Sequence, residues 1–142
     1  MTTNAHDRPV PQRASPFQGI DAFEPGANGA CWTLRLREDE PVFEGHYPGN
    51  PILPGIYTLE SVQQGIERLF AARGQRAVIT GVKSMRFLAP FAPGDLMRVE
   101  AVVEAVAEAA GDRVLASASI LRNGEKAASA KIYFRIDHEQ TC

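Results

Sequence analysis

Between positions 46 and 60 the chain reads HYPGNPILPGIYTLE, which sets a histidine and a carboxylate fourteen residues apart around three prolines and two glycines. An imidazole titrates near pH 6.5, so neutral His46 can act as a base at neutral pH. Glu60 can supply a proton or hold a departing hydroxyl, provided burial at an apolar edge raises its pKa. Pro48, Pro51 and Pro54 remove backbone freedom from the segment that presents His46, and rigid presentation is what positioned acid–base chemistry needs. Pro54-Gly55 opens into a helical pattern, so the N–H groups near Gly55 and Ile56 lack intrahelical partners and can hold an oxyanion. A glycine there lets a ligand approach the backbone closely. A base, an acid and such donors together suit proton removal beside a carbonyl, each preorganised donor contributing on the order of 3 kcal/mol.

Every one of these parts also has an ordinary structural reading. A lone histidine beside aromatic residues is more often a hydrogen-bonded structural residue, a glutamate on a helix shoulder is usually solvated, and Pro-Gly commonly begins a helix. Their concentration in one proline-stiffened segment favours the chemical reading.

The elements that must position these groups follow from periodicity. Ile56, Leu59, Val62, Ile66, Leu69 and Phe70 fall on one arc at 100° per residue, which predicts an amphipathic helix from Ile56 to Arg73, ended by Gly74. Glu60 lies about 40° past Ile56, on the shoulder of the apolar arc, with Gln64 one turn beyond it. Before the loop at 41–55, Trp32, Leu34 and Leu36 alternate with polar neighbours as in a half-buried strand. After the helix, strands are expected at Ile79–Leu88, Val99–Ala107, Val114–Ile120 and Ala128–Ile136, consecutive and antiparallel. Asn123-Gly124 is a strong hairpin signal, and Pro93-Gly94-Asp95 and Gly111-Asp112 mark further turns. One helix and a run of strands make an α+β pattern in which the sheet curls around the helix. Ala101, Ala105, Ala116, Ala118, Ala128 and Ala130 are expected to permit the close approach.

Composition narrows the classes further. With 142 residues, 44% hydrophobic and 23% charged, the chain suits one soluble domain at 17–142 behind a proline-rich, disordered tail at 1–16. Fifteen Lys and Arg against seventeen Asp and Glu argue against nucleic-acid binding through excess basic charge. No apolar run approaches the ~20 residues that span a bilayer, and no secretory leader appears, so the expected compartment is the cytoplasm. Cys31 and Cys142 have no metal-ligand spacing and form no disulfide framework. His6 and His138, near the two ends, are expected to be exposed.

The run Phe43-Glu44-Gly45-His46-Tyr47-Pro48-Gly49-Asn50-Pro51-Ile52-Leu53-Pro54-Gly55, followed by Glu60 and Gln64, closely resembles the signature of FabZ-type 3-hydroxyacyl-ACP dehydratases. Arg86-Phe87, Pro90 and Pro93-Gly94-Asp95-Leu96 resemble that family's strand and turn after the helix, so the resemblance spans about residues 17 to 137. Tyr47 departs from the usual phenylalanine, and Ser84-Met85-Arg86-Phe87 replaces a more basic run.

The resemblance implies a hotdog fold, a long central helix wrapped by a curved antiparallel sheet. It implies dehydration of a (3R)-hydroxyacyl thioester to a trans-2-enoyl thioester, with His46 and Glu60 catalytic and Gly55, with Ile56, the main-chain donor. Gln64 and Tyr47 are implied in support. It implies a homodimer or dimer of dimers with each site shared between subunits, an acyl-carrier protein bearing a phosphopantetheine-linked chain as partner, and neither metal nor other cofactor. Leu59, Phe87 and Phe91, with Val62 and Ile66, are candidates to line an acyl tunnel. Arg86, Lys83 and Arg76 are candidates to meet an acidic carrier, where steering is salt-sensitive. Two alternatives stay open: an acyl-thioesterase on the same fold, and a non-catalytic acyl-thioester binding subunit.

Overall fold

A computed structural model describes residues 20–37, 55–106 and 112–138. The predicted tail, His46, Tyr47 and Cys142 lie outside the described residues. Six strands, β1 (Ala22–Pro25), β2 (Gly29–Arg35), β3 (Gln75–Phe87), β4 (Leu96–Ala105), β5 (Arg113–Arg122) and β6 (Glu125–His138), form one antiparallel sheet around α1 (Gly55–Ala71). Among the described residues, no helix is long and apolar enough to cross a membrane.

The helix forms where its apolar arc can be buried. Val62, Ile66, Leu69 and Phe70 are buried in one cluster with Trp32 and Leu34 of β2, Met97 and Val99 of β4, and Ile132 and Phe134 of β6. After Ala71 the chain turns through Gly74, whose φ of 71° is the left-handed conformation in which glycine avoids a β-carbon penalty. Ala101, Ala116, Ala118, Ala128 and Ala130 are all buried on the helix side of the sheet, as expected. Ala105, at the end of β4, is exposed instead, because the helix does not reach that far along the strand. Asn123 (φ 50°) and Gly124 (φ 90°) make the tight turn between β5 and β6, the positive pair that a two-residue hairpin demands.

The strand order, β1-β2-β4-β5-β6-β3, corrects the expectation that the strands after the helix are neighbours in sequence order. α1 crosses the sheet and delivers the chain to the edge opposite β2. β3 therefore pairs with β6, and β4 to β6 fill the space between. The short strand β1 was not anticipated: four mostly exposed residues carry no readable alternation. Ile56, placed on the apolar arc by periodicity, is 63% exposed because the first turn of the helix presents Gly55 and Thr58 to the sheet instead.

One contact sets how closely helix and sheet approach. A β-carbon built on Gly65 would fall within the indole of Trp32, which is 1% exposed and stacks on Phe23 at 5.9 Å between centroids. One turn earlier, Ser61 Oγ is buried without a hydrogen-bond partner, as is Trp32 Nε1. An unpaired buried hydroxyl contributes nothing to offset its lost hydration. Ser61→Ala is therefore expected to leave stability unchanged or raise it by about 1 kcal/mol in urea unfolding. A clear loss would mean the hydroxyl has a partner.

Candidate active site

The first turn of α1 meets the end of β3. A β-carbon on Gly55 would come within 2.7 Å of Phe87 Cζ, so the aromatic ring lies directly on the glycine. Phe87 is the last residue of β3 and is 53% exposed, and it lines two hollows together with Gly55. One, of about 250 Å³, is lined by Gly55, Ile56, Leu59, Met85 and Phe87. The other, of about 420 Å³, is lined by Gly55, Thr58, Phe87, Leu88, Ala89, Pro90 and Phe91.

The wall opposite the helix is held by backbone bonding. Leu88 and Ala89 both donate to the carbonyl of Ala127, at 2.7 and 3.1 Å, and Arg122 donates to the carbonyl of Pro90 at 2.7 Å. Asp95 accepts from the Ala92 amide at 2.8 Å and from Asn123 Nδ2 at 3.0 Å, closing the Pro93-Gly94 turn below buried Phe91. The cavity wall thereby inherits the rigidity of the β5–β6 hairpin.

Glu60 and Gln64 are half-buried, and Gln64 Nε2 donates to Glu60 Oε1 at 3.4 Å, the pairing that i, i+4 spacing allows. Of the residues read from sequence, the structure brings Gly55, Ile56, Leu59, Phe87 and Phe91 together around the two hollows. Val62 and Ile66 do not join them: both are fully buried in the helix–sheet core. Arg76, Lys83 and Arg86 are exposed along β3. Only Lys83 and Arg86 lie near the hollows, because Arg76 is roughly 33 Å away at the other end of an extended strand.

Sequence reasoning missed Thr58, Met85, Leu88, Ala89 and Pro90. Thr58 was readable in principle, being three residues past Gly55 on the same helix face. Met85 lies near the end of β3 and the other three on the chain leaving it, whose position depends on the partner strand. His138 is exposed, as expected, with Nε2 3.1 Å from Asp112 and Nδ1 3.4 Å from Gln75 Nε2. Cys31 is a strand residue whose thiol pKa is pushed up by burial, an effect opposed by nearby Arg98. Among the described residues, no three of His, Cys, Asp or Glu come together as a metal site.

Known proteins share this sequence and architecture. The profile of the ApeI-like family, described as ApeI dehydratase, matches residues 24–119. The 3-hydroxyacyl-[acyl-carrier-protein] dehydratase FabZ of Acetivibrio thermocellus is 35% identical over 143 aligned positions, covering 94% of each chain. That of Latilactobacillus sakei is 34% identical over 120, covering 82% of this chain and 83% of the relative. Among solved structures, the dehydratase heterocomplex ApeI:P from Xenorhabdus doucetiae aligns with a TM-score of 0.68 at 20% identity, over 82% of this chain and 96% of that one. A hypothetical thioesterase protein with coenzyme A from Streptococcus pneumoniae aligns with a TM-score of 0.63 at 13% identity, over 86% and 90%. Helix and sheet together are the hotdog fold, which dehydratases and thioesterases share.

Proposed function

The chain belongs to the ApeI-like dehydratase family, and from that premise we propose that it removes water from a (3R)-hydroxyacyl thioester borne by an acyl-carrier protein, yielding the trans-2-enoyl thioester. The observation that carries the mechanism is the start of α1 at Gly55, unshielded by a side chain of its own and open to two hollows, the smaller of them almost wholly apolar. Main-chain N–H groups of Gly55 and Ile56 face a thioester oxygen there with the positive end of the helix dipole behind them. His46 takes the proton from C2, the electron pair moves onto the thioester oxygen, and Glu60 protonates the hydroxyl leaving C3. Gln64 holds Glu60 in place, and Tyr47 supports the histidine loop.

The acyl chain runs along the hollow walled by Leu59 and Phe87 or the one that ends on Phe91. Lys83 and Arg86, beside the hollows, meet the acidic carrier, and such a reaction belongs in the cytoplasm. In this reading β3 pairs antiparallel with a second copy. Among the described residues it has β6 on one side only, and exposed Ile56, Val82, Phe87 and Leu88 lie along or beside it, the apolar edge that a partner strand would cover. The resulting homodimer, alone or as a dimer of dimers, sets each site at the seam. The heterocomplex named for ApeI:P favours a second reading, in which the edge takes a different hotdog chain.

Incubation with a crotonyl thioester separates the reactions. Hydration of the double bond is expected; release of free thiol would mean a thioesterase, and binding without either reaction would mean a binding subunit. Light scattering of the purified chain reads the assembly, a dimer or tetramer of one chain being expected. Gly55→Ala brings a β-carbon against Phe87, whose half-exposed ring can swing aside into the hollows. Hydration is expected to fall by about 10-fold or more, since slight misplacement of substrate is costly, with little change in melting temperature.

A further inference from the structure

Thr58 is a polar residue for which the folded core has no use. It lies on the first turn of α1, is 2% exposed, and lines the cavity of about 420 Å³ beside Gly55. Among the described residues no hydrogen bond engages its hydroxyl, which, unlike Ser61 Oγ, is not sealed from the cavity. The other residues of that wall, Phe87, Leu88, Ala89, Pro90 and Phe91, bring only apolar side chains. A hydroxyl that faces such a cavity can donate to a ligand atom able to accept its proton, a bond contributing about 1 kcal/mol net.

The direction of the side chain identifies that atom. Helical Cα–Cβ bonds tilt toward the N-terminus, so a residue three positions past Gly55 projects back along the same face toward it. The Thr58 hydroxyl and the main-chain N–H of Gly55 at the helix start therefore converge on one cavity, which both residues line. An sp² oxygen has two lone pairs and can accept from both.

Resting on the dehydratase reading above, we propose that Thr58 Oγ1 donates a hydrogen bond to the thioester carbonyl oxygen, as the side-chain partner of the Gly55 main-chain N–H on the same cavity. When the C2–H bond breaks, its electron pair forms the C1–C2 double bond of the enolate and charge moves onto this oxygen, where the Thr58 bond strengthens. The pair then returns to form C2=C3 as the C3–O bond breaks and the hydroxyl leaves with a proton from the acid. Thr58 keeps its own proton throughout and changes only how far the enolate is stabilised.

The test pairs Thr58→Val, which keeps the shape and removes the hydroxyl, with Thr58→Ser, which keeps the hydroxyl. In crotonyl-thioester hydration Thr58→Val is expected to lower kcat by about 100-fold with KM nearly unchanged, while Thr58→Ser stays within about 5-fold of the parent. The second readout is the carbonyl stretching band of crotonyl thioester bound to a slow Glu60→Gln background. The band is expected to shift to lower frequency on binding and to return toward its solution position when Thr58→Val is added. Unchanged kcat in Thr58→Val overturns the assignment, and so does a loss of kcat with the carbonyl band unmoved, which would make Thr58 a packing residue. Thiol release by the parent protein would instead overturn the dehydratase reading, and the carbonyl band would still decide whether Thr58 touches the thioester.

Discussion

Glu60→Gln is expected to slow crotonyl-thioester hydration by roughly 100- to 10,000-fold, the range that a positioned acid or base contributes. The amide has nearly the shape of the carboxyl group, and its oxygen can still accept from Gln64 Nε2, now 3.4 Å from Glu60 Oε1. What it cannot do is give up a proton to a leaving hydroxyl. The loss should therefore appear in kcat, with KM little affected and the unfolding curve superimposable on the parent. His46→Ala is expected to cost as much, by removing the base. The double variant should be scarcely worse than either single one, because acid and base act on the two halves of one elimination. If Glu60→Gln retains a tenth or more of the parent rate, the proton comes from elsewhere and the proposed division of roles is wrong.

The second large effect concerns stability, and two physical terms oppose each other there. Alanine in place of glycine in a helix interior ordinarily stabilises by about 1 kcal/mol, through the unfolded chain. At Gly65 the added carbon would enter the Trp32 indole. That ring cannot retreat: it is 1% exposed, with Phe23 stacked against it and the helix across it. Relief requires α1 to lift from β2, loosening the burial of Val62, Ile66 and Leu69. Steric overpacking wins, and Gly65→Ala is expected to lose about 3 kcal/mol, a fall of about 10 °C in Tm for a domain of this size. Trp32 is the one tryptophan of the chain, so its fluorescence reports the transition directly. Gly81→Ala is the control, because nothing lies within 4 Å of the β-carbon it would add, and its Tm should stay close to the parent's. Equal melting of the two variants would show that the close approach of Gly65 to Trp32 does not set the helix–sheet distance.

Much of this protein was legible along the chain, and for one reason: the signals were local. A period of 3.6 residues located α1, a period of two located most strands, and the positive φ angles at Gly74, Asn123 and Gly124 fell where glycine and asparagine had marked turns. The concentration of His46, Gly55 and Glu60 around three prolines pointed to acid–base chemistry beside a carbonyl, and the matched family is one of dehydratases.

The pairing of strands was decided only in three dimensions. Alternation shows that β3 is a strand but not that β6 is its neighbour, since any partner with a matching apolar face satisfies the same pattern. That choice puts Phe87 on Gly55, carries Leu88 and Pro90 across from Thr58, exposes Ile56 and withdraws Val62 and Ile66 into the core. Chemistry-bearing residue types are written in the chain one position at a time. The cavity they share exists only once segments distant in sequence are brought together by burial and backbone hydrogen bonding, energies that no short stretch of sequence contains.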